Sequence, residues 1–216
     1  MDRRLGRVKW GGPRERTSLE NWRKPIAWNK KAAAAGRRDF VFCASLADVF
    51  DNQVPDDWRA DLMMLIGATP SLVWLLLTKR IGNTVSMLAA LPPNAALGAT
   101  MANQVEYDRD APRLRDAAER LKPAFTFGSF EPLLGRVDLN DAAPDWIIVG
   151  GESGQSARPM QAEWVSTIAA DAQAFGRIFF FKQWGEFDRS GRKVGKAAAG
   201  RLWAGRTWNE RPVAAA

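Results

Sequence analysis

Six apolar runs, each ending in polar or charged residues, constrain this 216-residue chain more than any other feature. The run 40–44 leads into Ser45 and Asp48, and 72–77 ends in Thr78, Lys79 and Arg80. The run 95–99 ends in Thr100, and 125–127 leads to Ser129, Phe130 and Glu131. The run 146–149 ends in Gly150, Gly151, Glu152 and Ser153, and 178–181 in Lys182, Gln183 and Trp184. Continuous apolar runs of this length suit strands buried on both faces, as in a parallel sheet. In such sheets and barrels the working groups sit at the carboxyl ends of the strands. The polar residues should therefore converge on one rim.

Helical patterns separate the runs. Pro55, Asp56 and Asp57 suit a helix start, and Trp58, Leu62, Leu65 and Ile66 follow at helical spacing. A weaker helix is expected over 81–91, stopped by Pro92 and Pro93, and another over 111–121 with Pro112 in its first turn. The stretch 162–175 reads as a clear helix closed by Gly176. Strand and helix thus alternate about six times, which is an α/β pattern of βαβ units. Six units are too few for a closed eight-stranded barrel. The expected fold is a partial (βα) barrel of about six parallel strands, TIM-barrel-like in kind; a doubly wound open sheet is the alternative.

Charge divides the chain into three parts. Residues 1–39 hold twelve Lys/Arg against four Asp/Glu, residues 40–187 hold twelve against eighteen, and residues 188–216 hold seven against two. The expected organisation is a basic, Trp-containing arm (1–39), the barrel (40–187) and a basic, Gly-rich tail (188–216). In the arm, 17–22 fits the cap of one short helix and 28–35 a second. Its tryptophans, Trp10, Trp22 and Trp28, either pack on the core or form an aromatic, basic surface for nucleic acid. No apolar stretch has membrane-spanning length and no signal peptide is visible, so the expectation is a cytoplasmic protein with no membrane partner.

The chain has no histidine and one cysteine. That excludes histidine bases and histidine-ligated metals, an internal disulfide framework, and an iron–sulfur cluster held by this chain alone. No metal ligand set is expected. Cys43 lies in an apolar run and reads as an inert buried thiol. Lys79, Arg80 and Lys182 suit a carboxylate or phosphate, or salt bridges to Asp48 and Glu131. Consecutive glycines Gly150 and Gly151 let a backbone approach either a ligand or another strand. The candidate ligand-binding set is Ser45, Asp48, Lys79, Arg80, Thr100, Glu131, Gly150, Gly151, Glu152, Ser153, Arg158, Lys182 and Gln183, for an unknown polar substrate.

Taken together, the segments 42–50, 75–80, 131–135, 149–154, 157–160, 179–186, 195–202 and 205–208 resemble the radical-SAM-like proteins of unknown function encoded by phages and mobile elements. The resemblance spans essentially the whole chain. It implies a radical-SAM-type partial barrel, and S-adenosylmethionine and a [4Fe–4S] cluster as cofactors, the cluster held by a CxxxCxxC motif. This chain lacks that motif. Its first eleven residues resemble the segment that directly follows the motif in the family. The expectation is therefore that Met1 is an internal methionine and that the cysteines and a first strand lie upstream, their absence leaving an open sheet edge. Under that reading Ser45, Asp48 and Glu152 contact the amino-acid part or ribose of S-adenosylmethionine. A non-catalytic protein of a mobile element, binding nucleic acid through its basic ends, is the alternative.

Overall fold

The computed structural model of the chain describes residues 12–43 and 47–213. Its elements run α1 (Leu19–Ala34), β1 (Asp39–Cys43), α2 (Asp56–Gly67), β2 (Leu72–Thr78), a 3-10 turn (Ile81–Asn83) and α3 (Thr84–Met87). Then come β3 (Ala95–Thr100), α4 (Gln104–Leu121), β4 (Thr126–Phe130), β5 (Trp146–Gly150), α5 (Ala162–Ala174), β6 (Ile178–Gln183) and α6 (Lys196–Ala199).

The six strands form one sheet in the order β1-β2-β3-β4-β5-β6, every pair parallel. A doubly wound sheet needs a reversal of strand order, and there is none. Right-handed crossovers between sequential neighbours place every helix on the same face, so the sheet curls into a half-barrel. Packing follows that geometry. The larger core joins Leu76, Leu97, Phe130, Ile147 and Phe181 to helix residues such as Ala32, Ile66, Leu114 and Ile168. Residues one step out of phase face the other way. Val73, Leu75, Ala96, Phe127 and Trp146 form a second core with no helix residue in it. Gly98 has no side chain to spare on this concave face, because the Phe127 ring occupies the place of a Cβ.

The arm forms one helix of 16 residues and not two. The Ser18 hydroxyl accepts the Asn21 N–H at 3.4 Å, and Pro25 is accommodated inside the helix, buried against the domain. The helix α4 starts seven residues before the expected position. Asn103 caps it through the Glu106 N–H at 3.0 Å, and the Glu106 carboxylate accepts the Ala102 N–H at 2.7 Å. This is capping-box logic with Asn in place of Ser, and it leaves Pro112 mid-helix. The helix expected over 81–91 shrinks to the 3-10 turn and the four residues of α3.

The alternation also fails between β4 and β5, where 131–145 contains no helix. Leu133, Val137, Leu139, Ala142 and Ala143 are buried there in a helix's stead. The segment is pinned from both sides: Tyr107 donates to Asn140 Oδ1 at 2.9 Å, and the Leu139 N–H donates to Asp171 at 2.9 Å. Hydrogen bonds to side chains replace those a helix would make internally.

The tail covers the β6 edge. The Phe181 N–H reaches the Trp208 carbonyl at 3.2 Å, and Trp146 Nε1 donates to the Glu210 carbonyl at 3.0 Å. Trp203 and Trp208 each pack on Phe179 with ring centroids 5.6 Å apart. At the opposite edge, β1 has β2 as its sole strand neighbour among the described residues.

Candidate functional site

The carboxyl ends of the strands carry two polar clusters, one on β1 and β2 and one on β4 to β6, with β3 between them. The first is built on Asp48. Its carboxylate accepts the Thr78 hydroxyl at 2.8 and 2.9 Å, the Lys79 N–H at 3.0 Å and the Phe50 N–H at 3.0 Å. Arg80 reaches it at 3.3 Å and reaches Asp51 at 3.2 Å. Asp51 also holds Arg14 at 2.6 Å, which ties the arm to the rim. Burial pushes the Asp51 carboxyl up, but the Gln53 N–H, the Arg14 hydrogen bond and the two guanidinium charges outweigh it, leaving Asp51 below the usual aspartate value.

In the second cluster Glu131 bonds to Lys182 at 2.8 Å and to Gln183 at 3.3 Å. Gln183 also donates to Ser153 Oγ at 3.2 Å. Glu152 is held by Arg158 through Nε at 2.8 Å, Nη2 at 2.9 Å and the backbone N–H at 2.8 Å. Those bonds, the side-chain ones first, outweigh burial and keep the Glu152 carboxyl below its usual range. Gly150 lies beside the Glu131 carboxylate, where a Cβ would come within 3.2 Å. A Cβ on Gly151 would overlap the Trp184 carbonyl oxygen. The close backbone approach at Gly151 is therefore to the chain itself.

Between the clusters lies a level of three donors. Thr100 and Ser129 are register partners at the ends of β3 and β4, on the concave face, 6% and 7% exposed. Neither hydroxyl meets a hydrogen-bond partner among the described residues. Thr78 pairs with Ala99, which puts Lys79 beside Thr100 at the next level. The Lys79 side chain is exposed and makes no ion pair among the described residues. Of the candidate cations, Arg80, Arg158 and Lys182 are thus engaged with carboxylates and Lys79 is not. Ser45 lies outside the described residues.

Three participants escaped the sequence reading. Asp51 and Arg14 complete the first cluster, and Glu186 accepts the Gly154 N–H at 2.9 Å. The three-residue step from Asp48 to Asp51 was the available signal for one of them. The other two join the rim only through tertiary contacts.

No group of three or more His, Cys, Asp and Glu is arranged to hold a metal ion among the described residues. Cys43 is half-buried on β1, packed against the helix-side core, and burial pushes its thiol up to about 12. A [4Fe–4S] cluster needs several thiolates, so the residues present do not fit one. Among the described residues no helix is long and apolar enough to cross a membrane.

Fold and rim together define an α/β half-barrel with a polar, charge-compensated mouth. The chain matches the family described as "Protein of unknown function (DUF5131)" over residues 3–212 and belongs to that family. No curated protein and no solved structure matches it.

Proposed function

We propose that this chain is the ligand-binding half-barrel of a radical-SAM-like enzyme from a phage or mobile element. Its rim takes a small polar molecule through a carboxylate or phosphate, and S-adenosylmethionine is the ligand that the resemblance implies. One observation carries the reading: the donor level formed by Lys79, Thr100 and Ser129. The hydroxyls of two nearly buried residues have no partner there among the described residues, next to a cation that makes no ion pair among them. Neither oxygen is sealed from solvent, so both can donate to an incoming ligand, and an anion bridging the three would pair them. Asp48, Glu131 and Glu152 already hold Arg80, Lys182 and Arg158, so they shape the rim's charge and position its cations. Radical chemistry needs cluster thiolates that this sequence does not contain, and none of these residues substitutes for them.

The test is equilibrium dialysis of labelled S-adenosylmethionine against the wild type, Lys79→Met and Thr100→Val. Saturable binding by the wild type, weakened about tenfold or more in each variant, is expected, since a hydrogen bond to a charged group is worth about 1.5–3 kcal/mol. No saturable binding, or equal binding by all three, overturns the reading. Circular dichroism checks that the variants fold.

A further inference from the structure

Two open clefts flank β1 at the edge of the sheet. They measure about 580 and 570 Å³ and share Arg37 and Phe40. Each is in the range of small-ligand pockets, about 300–1,000 Å³. The second cleft is lined from the helix side by Trp28 and Lys31 and from the concave side by Phe40, Phe42 and Arg211. Trp28 is 45% and Phe42 50% exposed, unusually open for such large apolar side chains. Trp28 therefore does not pack away into the core, although Trp22 is half-buried under Arg16 at 4.1 Å.

The cations here are set among the rings. Arg211 lies 5.7 Å from the Phe40 ring and 5.9 Å from that of Phe180. Lys31 is exposed and makes no close ion pair among the described residues, although its charge also acts on Asp39, which lines the same cleft. Arg37 is exposed and bonds to Asp39 at 2.8 Å, a contact open to competition from a phosphate. Arm and tail, the two basic parts of the chain, meet at this place. Exposed rings interleaved with cations along an open groove are what a single nucleic-acid strand recognises: bases stack on the rings and phosphates meet the cations.

We infer that the clefts around β1, at Trp28, Lys31, Arg37, Phe40, Phe42 and Arg211, bind single-stranded nucleic acid. An acidic peptide offers matching charge but no base-sized planes for Trp28 and Phe42, so the rings favour the nucleic acid. The surface is independent of the small-molecule reading of the rim.

Fluorescence anisotropy of a labelled oligothymidylate of about 12 nucleotides, a length within the usual single-strand site range, tests this with the full chain. Three neutralised phosphates predict a log–log salt slope of about −2, so affinity should fall about 20-fold between roughly 50 and 200 mM salt. Trp28→Ala should cost about fivefold or more, from one lost stacking contact. Arg211→Glu should weaken binding and flatten the slope, whereas Arg189→Glu, an equal charge change on the loop past β6, should not. Absent binding at low salt overturns the assignment. So do equal effects of the two Arg changes, equal affinity for duplex, or displacement by polyglutamate with Trp28→Ala silent; that last result would assign the surface to an acidic protein.

Discussion

Arg158 closes on Glu152 with two edges of its guanidinium, Nε at 2.8 Å from Oε2 and Nη2 at 2.9 Å from Oε1. The pair sits directly after β5, and the Arg158 side chain is 61% exposed. Arg158→Ala should let the Glu152 carboxyl rise toward the ordinary glutamate value, read by NMR titration of its carboxyl carbon. Because the folded value is depressed, the pair stabilises the protein above the unfolded-state pKa, and that contribution fades as pH falls through the folded one. Exposure keeps the loss of stability at neutral pH small. An unchanged titration would show that Arg158 does not set the acidity of Glu152.

Asp51 connects arm and rim by accepting from Arg14 and Arg80 together. Asp51→Asn should destabilise by about 1–2 kcal/mol at neutral pH, through weaker hydrogen bonds to two guanidinium groups. The Asp51 pKa is also depressed, so wild type and variant should converge as pH drops below that value. Urea melts at neutral pH and near pH 3 measure both. A stability gap that stays constant with pH would mean that the charge of Asp51 is not what holds the arm.

Gly151 and Gly185 lie against each other's segments. A Cβ on Gly151 would overlap the Trp184 carbonyl oxygen, and one on Gly185, where φ is +89°, would overlap the Glu152 carbonyl oxygen. Neither obstacle is the end of a flexible side chain. Gly151→Ala should therefore cost more than about 2 kcal/mol and lower the melting temperature by several degrees. Gly82, with nothing within 4 Å of its Cβ position and no positive φ, is the contrast. Gly82→Ala should be neutral or stabilising by up to about 1 kcal/mol. Equal melting temperatures for the two variants would contradict the packing at Gly151.

All six strands were legible in the sequence, because a strand buried on both faces leaves an unbroken apolar run such as that around Leu75 or Ile147. Their carboxyl-end residues were legible for the same reason. What the sequence hid was decided by contacts distant along the chain. Helix α4 begins at the cap of Asn103 and not at the first-turn signal of Pro112, since one lost hydrogen bond is tolerated inside a helix packed over β3 and β4. The connection 131–145 carries no helical pattern, and its path is set by the contacts of Tyr107 and Asp171, which pin it open. At the rim, carboxylates and cations were visible as types, but not their pairings. Which cation is engaged depends on reach: Arg80 turns back to Asp48 and Asp51, whereas its neighbour Lys79 makes no ion pair among the described residues.

Cys43 bears most directly on the cofactor question, because it is the one thiol in the chain. Its pKa of about 12 comes from burial, with no cation to favour the thiolate. At pH 8 the native protein should hold roughly a thousandfold less thiolate than an ordinary free cysteine, whose pKa is about 8.5. Iodoacetamide labelling followed by mass spectrometry should be very slow in the native protein and fast in urea. The same property makes Cys43 a poor ligand for iron, since a thiol must lose its proton to coordinate. Rapid native labelling would overturn this account and reopen β1 as a place for a thiolate ligand.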